Sequence, residues 1–145
     1  MMRLVIDNQE KKPLLFKKGV FGEMTTRHLS FGDYGIELDG KFAPIYFERK
    51  SLVDLFGTMG KGYERFRKEI KRSQEAKSTL ILVIEGSMKD VFNGVEYSKI
   101  PGYRILKQLA TLRVKYDLET HFFNSRREIA RYIEDICLAV ERSWK

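Results

Sequence analysis

Residues 79–85, Thr-Leu-Ile-Leu-Val-Ile-Glu, form an uninterrupted apolar run closed at both ends by a polar residue. A short run of this kind is expected of a strand buried on both faces, in the middle of a sheet with further layers on either side. Upstream, strands are expected over residues 3–7, 23–30 and 42–50. The last is rich in aromatic and β-branched residues and runs toward the charged triplet Glu48-Arg49-Lys50. Gly32, Gly35 and Gly40 mark tight turns. Ser51 offers an N-cap for a short helix over 52–56, and the glycines of 57–62 a flexible connection. Tyr63, Phe66 and Ile70 then recur at the spacing of a helix over 63–76. Gly86 ends the central run. A helix is predicted over 104–116 from Ile105, Leu109 and Leu112, followed by a strand over 118–123 and a last helix over 125–144. Strands first, then alternating helices and strands, describe an α/β chain with a mixed central β-sheet flanked by α-helices on both faces.

The chain has 145 residues and 43% hydrophobic content, enough for one core, and no repeat or long linker divides it, so one domain over 1–145 is expected. Its apolar runs fall far short of membrane-spanning length, and Arg3 brings a charge too early for a signal peptide. The single cysteine excludes an internal disulfide and a Cys-rich zinc site, and suggests a reducing, cytoplasmic setting. Cys137 lies in the stripe Ile129, Ile133, Ile136 and Val140 and reads as core, while His28 and His121 lack ligand-like spacing. The 57–62 glycines do not form a phosphate loop. A formal charge of +7, from 27 Lys+Arg against 20 Asp+Glu, suits a phosphate-bearing partner.

On a strand over 42–50, the period of two puts Glu48 and Lys50 on one face and Phe47 and Arg49 on the other. Hydrolysing a phosphodiester requires a hard cation on carboxylate oxygens and a group that stabilises charge building on phosphorus. Glu48 is suited to the first task and Lys50 to the second, or to orienting or deprotonating water. Asp33, fifteen positions earlier at a glycine-marked turn, is within reach of Glu48 from an adjacent strand. The structural readings stand beside these: Asp33 as a turn residue, Asp54 as part of the cap begun by Ser51, and the triplet as a solvated strand edge.

Gly32-Asp33, then Glu48-Arg49-Lys50 and, after three residues, Asp54, resembles the nuclease signature of the XPF/Hef family. The likeness extends from Val5-Ile6-Asp7 through Leu82-Val83-Ile84-Glu85-Gly86 to the closing helix. It implies a restriction-endonuclease-like fold, Mg²⁺ or Mn²⁺ as cofactor, and cutting of branched or flapped DNA near junctions, in repair or recombination. Carried over, it makes Asp33 and Glu48 metal ligands, Lys50 a catalytic lysine, Arg49 an active-site support and Asp54 a further essential acid. Asp7 and Glu10 match a family pattern that lines the same site, although Gln9 stands where the family usually has arginine. Neither the helicase nor the helix-hairpin-helix module of better-known relatives is present. A nuclease domain standing alone is therefore expected, with substrate choice either broader or set by a partner protein. The resemblance also implies a homodimer through the C-terminal helices, for which the stripe ending at Trp144 is suitable, as it is for core.

Lys61, Arg65, Lys68 and Arg72 recur at three- and four-residue spacing directly after the expected site and suit phosphate contacts, although a charged helix face is often only solvated. Lys99, Arg104, Lys107, Arg113 and Lys115 form a second basic run that would lengthen the footprint along a duplex. Two other readings stay open: a catalytically silent DNA-binding subunit of a nuclease complex, and a less selective restriction- or resolvase-like nuclease.

Overall fold

The computed structural model describes residues 1–144. In chain order its elements are β1 (Met2–Asp7), β2 (Glu23–Arg27), β3 (Tyr34–Leu38), β4 (Lys41–Ser51), α1 (Leu52–Met59), α2 (Tyr63–Glu75), β5 (Thr79–Glu85), α3 (Met88–Asn93), α4 (Gly102–Tyr116), β6 (Glu119–Phe123) and α5 (Arg126–Ser143). The strands form one six-stranded mixed sheet in the order β2-β1-β3-β4-β5-β6. β1 runs parallel to β2 and antiparallel to β3, β3 is antiparallel to β4, and β4, β5 and β6 are mutually parallel.

The apolar run is the interior strand β5, and its side chains divide by alternation. Leu80, Leu82 and Ile84 enter a core built with α1, α2 and α4, whereas Ile81 and Val83 enter a second core with Ile129, Ile133 and Cys137 of α5. Truncating Leu82 or Ile84, both fully buried, to alanine should cost about 2–5 kcal/mol. The same alternation continues on the paired strand β4: Tyr46 belongs to the first core and Phe47 to the second. Glu48 and Lys50 therefore lie on the α2 side, and Arg49 on the α5 side.

Three elements differ from expectation. Gly32, Gly35 and Gly40 were expected at turns, yet Gly35 lies inside strand β3. A Cβ there would stand 2.7 Å from Tyr46 Cε2, so glycine is required by the tyrosine ring that lies across it from β4. Gly32, at φ +77, does make a turn, immediately ahead of Asp33. A second departure is α3, where no element was expected; it is begun by a reciprocal capping box in which Ser87 Oγ accepts from Asp90 N and the Asp90 carboxylate accepts from Ser87 N. α1 also runs on to Met59, through part of the glycine segment expected to be flexible. Among the described residues no helix is long and apolar enough to cross a membrane.

Candidate active site

The pairing of β3 with β4 brings the two ends of the motif together. Asp33 N donates to Phe47 O (2.7 Å), and Arg49 N donates to Asp33 Oδ2 (2.8 Å), so the first acid is tied to the backbone that carries the triplet. Glu48 is buried, and its Oε2 lies 3.1 Å from Lys50 Nζ. Burial pushes the Asp33 carboxyl up to about 7, against the pull of the Arg49 amide, with the Glu10 charge adding to the rise. Burial also raises the Glu48 carboxyl well above the usual range, and the Asp33 and Glu69 charges raise it further. For Lys50, burial works to lower the value, but Glu48, Asp33 and Glu69 together outweigh it and hold the ammonium above its ordinary value. Lys50 is thus a charged donor near neutral pH, which favours charge stabilisation over proton abstraction.

Glu69 was missed in the sequence. It reaches across from α2, where its Oε2 accepts from Gly32 N (2.8 Å), holding the turn that presents Asp33. Its sequence signal is weak, because Glu69 is one of three glutamates on α2, with Glu64 and Glu75, and only its place beside the core residue Ile70 sets it apart. Three acids, Asp33, Glu48 and Glu69, then face one lysine.

Arg49 points to the opposite face. Its Nε and Nη2 donate to both oxygens of Glu10 (2.8 and 2.6 Å), and Nη1 donates to Glu85 Oε1 (2.5 Å). Glu85 also accepts from Arg126 at the start of α5, and Glu10 from the Tyr34 hydroxyl. The hydrogen bonds that Arg49 donates to Glu10 are the largest cause of a guanidinium held above its already high value. Arg49 therefore braces β4 against Glu10 and the end of β5.

Asp7 and Glu10, expected as metal ligands, are engaged elsewhere. Asp7 Oδ1 accepts from Leu29 N (2.8 Å) and Oδ2 from Gln9 N (3.0 Å), so its carboxylate clamps two turns, and both Glu10 oxygens hold Arg49. Asp54 is exposed in the first turn of α1, with its amide donating to Ser51 Oγ (3.2 Å), so the cap read from the sequence is formed. Among the described residues no group of three or more His, Cys, Asp or Glu side chains converges on one point suited to a metal ion.

A family model described as the ERCC4 domain matches residues 6–136. The chain belongs to the ERCC4 domain family. Among solved structures this ERCC4 domain is similar to XPF from Aeropyrum pernix, with a TM-score of 0.70 and 20% identity over 98% of this chain and 69% of that one. XPF from the same organism in complex with DNA gives a TM-score of 0.70 and 19% identity over 99% of this chain and 66% of that one. The ERCC4 domain thus spans about two thirds of the length of those solved chains. At such identities the likeness establishes the fold, which is the XPF-type mixed sheet with flanking helices expected from the sequence. No curated protein matches the chain by sequence.

The donor set of the ERCC4 domain fits a hard divalent cation. Asp33 and Glu48 offer carboxylate oxygens whose charges are mutually repulsive and under-compensated by Lys50. Mg²⁺ commonly takes one or two carboxylates and fills its remaining positions with water and substrate phosphate, so a pair of acids suffices. Beside them, Lys61 in the turn before α2 and Arg65 and Lys68 on α2 are exposed. Arg72 is exposed too, but its guanidinium donates to Ser30 O (3.1 and 3.3 Å).

Proposed function

We propose that this ERCC4 domain is a DNA endonuclease that hydrolyses phosphodiester bonds with Mg²⁺, for which Mn²⁺ substitutes, and that it acts on branched, flapped or junction DNA in repair or recombination, in the cytoplasm or at a nucleoid. Family membership supports the endonuclease reading. The observation that carries the chemistry is the convergence of Asp33, Glu48 and Lys50 where the start of β3 meets the end of β4.

In this reading Asp33 and Glu48 hold the cation. Bound there, a divalent cation neutralises charge on the phosphoryl oxygens and eases deprotonation of the attacking water. Lys50 donates to a phosphoryl oxygen as negative charge builds on it. Arg49 keeps β4 in register with Glu10 and Glu85, so the two ligands stay aligned. Asp54, at the start of α1, is the further acid bordering the site. Lys61, Arg65, Lys68 and Arg72 border it as phosphate contacts that position the duplex without reading sequence.

Pairing of two copies through the C-terminal helices is part of the proposal, as is a protein partner that sets substrate choice. Because Ile129, Ile133 and Cys137 are occupied in the core, the pairing surface on α5 is the half-buried Ile136 and Val140 together with exposed Trp144.

Incubating the protein with flap, fork, four-way and plain duplex DNA tests the reading. Cutting beside the branch that requires Mg²⁺ or Mn²⁺ and stops in chelator is expected. Equal cutting of plain duplex would replace branch selectivity by the restriction- or resolvase-like reading. Salt-sensitive binding without cutting in either metal would favour the silent subunit.

A further inference from the structure

The 88–107 segment exposes aromatic side chains for which the fold has no use. α3 is anchored by Val91 alone among its fully buried residues, while Met88 (57% exposed) and Phe92 (61%) lie four positions apart on its outer face. Tyr103, at the start of α4, is 56% exposed, and Tyr97 in the connecting loop is fully exposed at φ +67, a left-handed conformation that bulky residues avoid. The two helices meet at the backbone. A Cβ on Gly102 would stand 2.0 Å from Val91 O and 2.4 Å from Phe92 O, so only glycine lets α4 begin directly against the end of α3, which puts Tyr103 one residue from the backbone contact with Phe92.

The place of this patch relative to the acids follows from the register. Ser51 pairs with Glu85, Gly86 is covered by Leu52, and α3 starts two residues later. The far side of the loop is pinned to the turn between α1 and α2, because a Cβ on Gly60 would stand 2.9 Å from Ile100 Cδ1. The aromatic patch therefore continues outward from the end of β5 on the same side as α1 and α2, next to Lys61.

Its charge decides what it suits. Lys107 Nζ sits 5.7 Å from the centre of the Tyr103 ring, and Lys89, Lys99 and Arg104 are exposed in the same segment; its two acids are Asp90, committed to the α3 cap, and exposed Glu96, so the segment keeps a positive excess. Planar rings interleaved with cations match an unpaired nucleic-acid strand, since bases stack on the rings and the phosphates between them meet the lysines. A hydrophobic protein partner would be met better by aliphatic side chains without the interleaved charge.

We infer that the α3–α4 segment, centred on Phe92, Tyr97 and Tyr103, is a stacking platform for unpaired bases, binding the single-stranded arm of a branched substrate whose duplex lies along α2. The inference rests on the DNA reading above and deepens it by naming the strand that gives branch preference.

The test uses the full chain in chelator, where no cutting occurs, with fluorescein-labelled oligothymidine, a fork with single-stranded arms, and a plain duplex as probes. Phe92→Ala/Tyr103→Ala should weaken oligothymidine and fork binding about tenfold while plain duplex binding changes less than twofold. Phe92→Tyr/Tyr103→Phe should restore binding, and Phe92→Leu/Tyr103→Leu should not, because leucine keeps apolar area without a π face. Unchanged oligothymidine binding in the alanine variant, equal weakening of all three probes, or full binding by the leucine variant would each overturn the platform. So would unchanged strand binding accompanied by a change in sedimentation, which would make the face an interface between copies. Thermal melting confirms that each variant is folded. If the platform fails, Mg²⁺-dependent cutting of the branched substrates remains; if the nuclease reading fails, strand binding in chelator remains, so the two are read separately.

Discussion

Asp33 and Glu48 are two carboxylates whose ionisation is opposed by burial and by nearby acids, Glu10 and Glu69 for Asp33 and Asp33 and Glu69 for Glu48, and Lys50 offsets only part of that cost. An acid whose folded pKa exceeds its unfolded value binds its proton more tightly in the native state, so it lowers stability as pH rises. For Asp33 the window runs from its ordinary 3.8 to about 7. Asp33→Asn should therefore melt like the parent near pH 4 and above it by pH 7, by about 2–4 °C for each 1 kcal/mol of relieved repulsion. Saturating Mg²⁺ should stabilise the parent and not the variant; a melting difference that shrinks with rising pH would contradict the assignment. Lys50→Ala should cut about 10²–10³-fold more slowly with unchanged DNA affinity, measured by single-turnover cleavage and by titration in chelator. Glu69 separates charge from hydrogen bonding. Glu69→Gln keeps an acceptor for Gly32 N and should retain stability while weakening Mn²⁺ binding in calorimetry. Glu69→Ala should also cost about 1 kcal/mol in denaturant melts through the lost hydrogen bond.

At the scale of elements, α2 joins two tasks on one helix: Phe66 and Ile70 are buried in the core, Glu69 turns to the acids, and Arg65 and Lys68 face solvent. Replacing Lys61, Arg65 and Lys68 by alanine should leave melting nearly unchanged and make the slope of log affinity against log salt shallower by about 0.9 for each phosphate contact removed. Arg72 is left out of this set because it also holds Ser30 O. The strands and long helices were legible because side-chain period is a local property, and boundaries such as 79–85 are those of the structure. β3 was not legible, since Gly35 reads as a turn until the Tyr46 ring across the pair is known. α3 was hidden by its brevity, with Ser87 and Asp90 of the capping box as its only sign.

For the molecule as a whole, α5 and the trio α1, α2 and α4 cover opposite faces of the sheet, so Glu48 and Lys50 lie on the side of the trio and Arg49 on the side of α5. Ile133→Ala on the inner stripe of α5 should cost about 2–5 kcal/mol in denaturant unfolding. Trp144→Ala should leave stability within about 0.5 kcal/mol and shift sedimentation toward the monomer, whereas an unchanged sedimentation profile would place the pairing surface elsewhere. By itself the sequence determined the α/β layering, the facing of Glu48 and Lys50, the burial of Cys137 and the family, because these follow from period, composition and a motif along the chain. Only the tertiary structure decided what each carboxylate meets: Asp7 two backbone amides, Glu10 the Arg49 guanidinium, and Glu69 the Gly32 amide from 37 residues away. Those outcomes depend on where donors from distant segments arrive, and no local pattern encodes that.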